Sequence, residues 1–370
     1  MFRVFISLLC VLGIVGCSST AKKPPELAPD APVAPVSVLW QTSLSRAGLG
    51  FSPAITFEGI YAATQKGKVV RIDAENGRVL WTVDTDKKLS AGPAADGSIV
   101  VVGSGEGDVI ALSTEGEERW RAKVSSEIIA PPTIAEGFVV LMTADNRIFA
   151  LSANDGEQKW MVPRSLPALI VRNSEGAVAS RGGVFIGTAG GRLLAIDIQS
   201  GAIAWDVNVA TPKGTTELER IADVTSRPIV EDDQICAGAF QGRVACFEIM
   251  RGSILWEREI PSYAGMVADH RYVYVTDDFG VVHALDKRTG VSVWKNDTVK
   301  GRFPSAPQLV GHNVAVIDYQ GWLHTFSDED GHYLGRLKTE STPPTAQPKA
   351  DGDQMIWQTK DGTVFAIVPR

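Results

Sequence analysis

The chain has 370 residues, 44% of them hydrophobic and 21% charged, with a formal net charge of −7. That apolar fraction is ample for a large packed core and excludes an intrinsically disordered chain. The acidic balance, without any basic stripe to neutralise phosphates, excludes a nucleic-acid partner.

The first 17 residues, MFRVFISLLCVLGIVGC, carry one Arg and an apolar run too short to span a bilayer. They read as a secretory signal over residues 1–16. The ending Ile14-Val15-Gly16-Cys17 resembles a bacterial lipobox, in which the Cys is acylated and becomes the first mature residue. The alternative is ordinary signal cleavage beside a chance Cys. Ser18 at the next position, where an Asp is absent, implies sorting to the outer membrane, with the lipid as the only membrane attachment. Residues 17–36 turn rich in Pro and Ala without periodicity, so they are expected to be a semi-extended tether.

From residue 37 to the C-terminus one pattern dominates. A Gly and a Trp recur at constant offset in GRVLW (77–81), GEERW (116–120), GEQKW (156–160), GAIAW (201–205), GSILW (252–256) and GVSVW (290–294). Two weaker copies follow, one with Gly331 but Gly335 at the Trp position, the other ending at Gly362. Upstream of each lies a start position, Pro53, Pro93, Pro132, Ala177, Pro228, Met266, Pro307 or Pro348, and between them run short alternating apolar segments. Period-two runs bounded by Gly, Asp and Asn are strands joined by hairpins. Eight units of about 40 residues, each of four antiparallel strands, make an all-β, eight-bladed propeller in a single domain, 37–370. Pro suits the start of an innermost strand, and the Trp belongs on the outer strand, packed against the next blade. The last unit stops before its own Trp strand, while Trp40 stands 13 residues before Pro53 with no unit in front of it. The strand around Val38-Leu39-Trp40 is therefore expected to close the C-terminal blade.

Length varies at one connection. Trp-to-start distances are 10–13 residues except for two consecutive gaps of 17 and 23, after Trp160 and after Trp205. Both insertions link an outer strand to the next inner strand, so they emerge side by side on one face, and insertions of this kind mark binding faces. The first, MVPRSLPALIVRNSEG, holds Leu166, Leu169, Ile170 and Val171 followed by Arg172. The second, DVNVATPKGTTELERIADVTSR, holds Glu217, Glu219, Arg220 and Asp223 around a short helical turn. An apolar cluster beside a charged rim is an expected protein interface; otherwise the first loop folds over the channel and buries its own Leu and Ile.

Cys236 and Cys246 flank Gln241-Gly242 symmetrically. In an oxidising compartment they form either a cross-strand disulfide or two buried thiols, the choice turning on whether a bulge separates them. The five His lack metal-site spacing, so no metal is expected. Gly103-Ser104-Gly105-Glu106-Gly107 leads into no helix and reads as a hairpin.

Repeats such as GVVHALDKRTGVSVW resemble the docking motif of pyrroloquinoline-quinone dehydrogenases. Those enzymes carry an adjacent Cys pair and a calcium site, and the adjacent pair is missing here. The lipobox, tether, Trp repeats, PALIVR and GTTELERIADVTSRP together resemble the BamB family, the lipoproteins of the outer-membrane β-barrel assembly (BAM) machinery. The resemblance implies a non-enzymatic scaffold without cofactor, lipidated at Cys17, that docks on the periplasmic POTRA region of BamA. It implies indirect links to the other BAM lipoproteins, and nascent outer-membrane proteins as a partner if the blades hold their strands by β-augmentation, the alternative being that the protein only orients the POTRA domains. Leu169, Val171 and Arg172 match the first docking loop; Asp223 matches one acid of an Asp-x-Asp pair in the second, with Thr225 in place of the other. Glu217 and Arg220 lie on the same loop. The alternatives are a quinoprotein dehydrogenase or a propeller for another envelope ligand.

Overall fold

The computed structural model describes residues 24–48, 50–165, 167, 169–171, 175–216, 218–339 and 342–370. Cys17, Arg172 and Glu217 lie outside the described residues, as does the signal segment. Eight four-stranded antiparallel sheets stand around a central channel, and the described residues contain no α-helix. Blades one to seven occupy residues 54–84, 89–123, 133–163, 178–208, 229–258, 265–296 and 308–338. Blade eight combines the last three strands with Val36–Ser43, which pairs antiparallel to Thr363–Pro369. The expected splice of the two chain ends is therefore present.

The Gly-Trp repeat is the seam between blades. Seven of the nine Trp, those on outer strands, donate through the indole to a carbonyl of the following blade: Trp40 to Ala74, Trp81 to Thr114, Trp120 to Ala153, Trp160 to Ile198, Trp205 to Ile249, Trp256 to Lys287 and Trp294 to Asp328. The same ring lies on the Gly that opens the next blade's GxxxW unit. At Gly201, for example, φ is +74° and a Cβ would stand 2.7 Å from the Trp160 ring. A side chain there would clash and strain the backbone together, so the two conserved-spacing residues are partners across a seam and not within a unit. A one-residue bulge beside the Trp, as at Ala150/Leu151 opposite Trp160, turns the ring toward that seam.

Between blades seven and eight the arrangement changes. Blade eight has no hairpin Gly to offer, because its outer strand comes from the N-terminus. Residues 32–35 run through that place instead: Ala34 N donates to Arg336 O and Arg336 N to Pro32 O, and Val33 bridges Arg336 in parallel. Gly335 stands where the repeat would put Trp, and a Cβ on it would lie 2.6 Å from the Pro32 carbonyl. Farther back, buried Arg302 pairs with Asp318 and donates to the Pro25 carbonyl. At Pro25 and at residues 32–35 the proline-rich segment is thus strapped to blade seven, where its backbone finds partners that an isolated extended segment would lack.

Candidate functional site

The channel wall is made by the eight inner strands, whose starting Pro and small residues line it. Connections from outer to inner strands share one face with the hairpins between second and third strands, and both long insertions rise from that face. They flank blade four. The first leaves Gln158–Pro163 and is pinned at its base, where Arg164 pairs with Asp206 at 2.8 Å and Asn146 Nδ2 donates to Ser165 O at 2.7 Å. Leu169 and Ile170 remain 45% and 39% exposed, and Val171 is half-buried. The alternative in which this loop buries its own apolar residues does not hold for Leu169 and Ile170.

The second insertion contains one helical turn. Glu219 accepts from the Thr215 and Thr216 amides, while Thr216 Oγ1 accepts from Glu219 N, a reciprocal arrangement that satisfies the turn's free amides. Arg220 and Leu218 on this turn are exposed, Leu218 at 67%. The chain then dives inward, and residues 222–226 are buried.

Asp223 therefore lies beneath the surface, and its expected exposed charge is not there. Its carboxylate accepts from the Val171 amide at 2.6 Å and from the Gly190 amide at 2.7 Å. Burial raises its pKa above the usual carboxylate range, opposed by those two donors. What it does is clasp the first insertion to the second and to the hairpin of blade four. Thr225 is buried as well and donates to Tyr263 O.

Sequence reasoning missed the continuation of this surface. Tyr263 and Phe303, on the next two connections, join Val171 and Thr225 around a cavity of about 320 Å³. Phe303 is 58% exposed with φ +49°, and Phe279 stands 63% exposed at the blade-six hairpin tip. An aromatic at the tip of Asp277-Asp278-Phe279-Gly280 was the available signal, since turn tips favour small polar residues. With Leu169, Ile170 and Leu218 these rings are exposed apolar residues on successive connections and one hairpin of one face, an arc from blade three to blade seven.

Below the arc, in blade five, Cys236 and Cys246 are direct cross-strand partners joined as a disulfide. The bulge of that blade falls one strand farther out, between Cys246 and Phe247. Among the described residues no group of His, Cys, Asp and Glu could hold a metal ion.

The fold and this face define a closed eight-bladed propeller with exposed apolar residues on its loop side. The family model described as outer membrane protein assembly factor BamB matches residues 65–296 and 271–370. A Bordetella pertussis protein of that name is 37% identical, covering 99% of this chain and 97% of its own. The crystal structure of BamB from Moraxella catarrhalis superposes with a TM-score of 0.83 at 26% identity, over 90% of this chain and 99% of that one. The chain belongs to the BamB family. A quinohemoprotein alcohol dehydrogenase from Comamonas testosteroni shares the fold alone, with TM-score 0.72, 15% identity, and coverage of 90% of this chain and 76% of that one.

Proposed function

We propose that the protein is a non-enzymatic scaffold of the outer-membrane β-barrel assembly machinery, held to the periplasmic face of the outer membrane by a lipid on Cys17. Its loop face docks the POTRA region of BamA. Family membership supports the role, and the observation that supports the face is the Asp223 clasp, which holds Leu169, Ile170 and Val171 of one insertion against the second as a single surface. Apolar anchors at the centre of such a patch carry most of the binding energy, with Arg220 as a charged neighbour on the second insertion and Arg172 following Val171 in sequence. Asp223 acts by positioning the first loop.

The test is binding of the purified propeller to the BamA POTRA region. Leu169→Glu with Ile170→Glu is expected to weaken it at least tenfold with an unchanged melting temperature, whereas Phe57→Glu, 90% exposed on the opposite face, leaves it intact. Undiminished binding by the loop variant would place the partner elsewhere. For the anchor, Cys17→Ala is expected to move the folded protein from the membrane fraction to the soluble periplasm in cells lacking BamA.

A second reading concerns nascent outer-membrane proteins. The outer strands expose Val79, Leu80, Ile203, Ile254, Leu255, Val291 and Val293 along the rim, which favours strand addition at blade edges.

A further inference from the structure

The channel holds charge that docking does not use. Its inner-strand wall is small and neutral except at two blades, five and eight, where Arg227 stands just before Pro228 with Glu231 at the far end of the same strand, and Lys349 just after Pro348. Three blades apart in a ring of eight, both line a cavity of about 520 Å³ at the end of the channel where the inner strands begin. Neither side chain makes a hydrogen bond or ion pair with any described residue. The acidic group beside them is Glu175, at the end of the first insertion, which accepts from the Gln347 amide at 2.9 Å. Gln347 in turn donates through Nε2 to Met266 O at 3.0 Å, so the polar wall around the pair is itself held in place.

Among the described residues, the two cations and the carboxylate that interacts with both, Glu175, sum to one positive charge in a partly dehydrated enclosure. That is costly when uncompensated. Burial and the Arg227 charge push the Lys349 ammonium down to about 8, and burial raises Glu175, which weakens its compensation further. Glu231 lies on the same wall but interacts with Lys287, Asp232 and Asp269.

We propose that the loop-side end of the channel binds a small organic monocarboxylate, gripped by the Arg227 guanidinium fork and the Lys349 ammonium. A planar carboxylate matches the fork, and its single charge balances the site, whereas a phosphate dianion would overcompensate beside Glu175. The cavity is of the size that holds small ligands.

Calorimetric titration of the intact propeller with benzoate, acetate and inorganic phosphate tests this. Expected are saturable binding of a carboxylate, weaker binding of phosphate, and at least a tenfold loss of carboxylate affinity in both Arg227→Gln and Lys349→Met. Carboxylate affinity should fall as pH rises through about 8, where Lys349 releases its proton, and Lys349→Met should lose that dependence. Lys349→Met removes a buried charge, so it is expected to fold and keeps the test readable if Arg227→Gln does not. Carboxylate binding that is absent, or equal in the variants, or no stronger than that of phosphate, overturns the proposal.

Discussion

Seven seams of the ring and the eighth solve the same problem differently. In the seven, a large ring from one blade covers a Gly of the next and donates to the carbonyl of a nearby residue in that blade, so each seam is one ring against one hairpin. In the eighth, between blades seven and eight, an extended backbone replaces both. Gly335 is small for the same reason that Gly201 is, but what it makes room for is the Pro32 carbonyl and not an indole. A repeat can be copied along a chain, whereas closure of the ring happens once and must use whatever the chain ends supply. The departure from the repeat at position 335 marks that place.

The contrast breaks if the Trp rings are dispensable. Trp160→Ala should cost about 3–5 kcal/mol in chemical denaturation, combining lost burial with a cavity at the seam. Its partner substitution Gly201→Ala should cost about 1–3 kcal/mol, through overpacking and a side chain at φ +74°. Reduction of the Cys236–Cys246 disulfide separates stabilisation within a blade from stabilisation between blades. Closing a loop of sequence separation 10 is worth about 2–3 kcal/mol, so the reduced protein should melt earlier while its seam tryptophans keep their native fluorescence. Gly335→Trp restores the repeat where no receiving Gly exists. It should expel residues 32–34, seen as faster amide exchange at Arg336 and Ala34, at a cost of about 1–3 kcal/mol; retained protection there would mean that the strap and the ring can coexist.

Asp223→Asn bears on the docking face and should cost about 1–3 kcal/mol at neutral pH, because the amide keeps one acceptor but turns an Nδ2–H donor toward the other backbone N–H and leaves it unsatisfied. The folded pKa of Asp223 is raised, so the folded state binds more protons than the unfolded one between the two values, and the wild type loses stability relative to Asp223→Asn as pH rises through that window. Comparing the two melting curves between acid and neutral pH checks the sign.

Sequence periodicity by itself determined the number of blades, the four strands in each, the Trp on the outer strand and the splice of the two termini. These follow from local rules, since alternation, turn residues and repeat spacing are written at fixed offsets along the chain. The two insertions were legible as length anomalies, and their common face followed from strand order. Which of their residues faces water was not. Asp223 looks like a surface acid in its segment, yet residues 222–226 turn inward and its carboxylate meets the Val171 amide 52 positions away in sequence. Phe303, Tyr263 and Phe279 come from separate connections and become one arc only after the ring closes. Arg227 and Lys349 stand 122 residues apart in the chain, three blades apart in the ring and across one cavity in space. Tertiary structure alone decided these, because burial and charge proximity depend on which distant segments share a volume, and no local pattern encodes that.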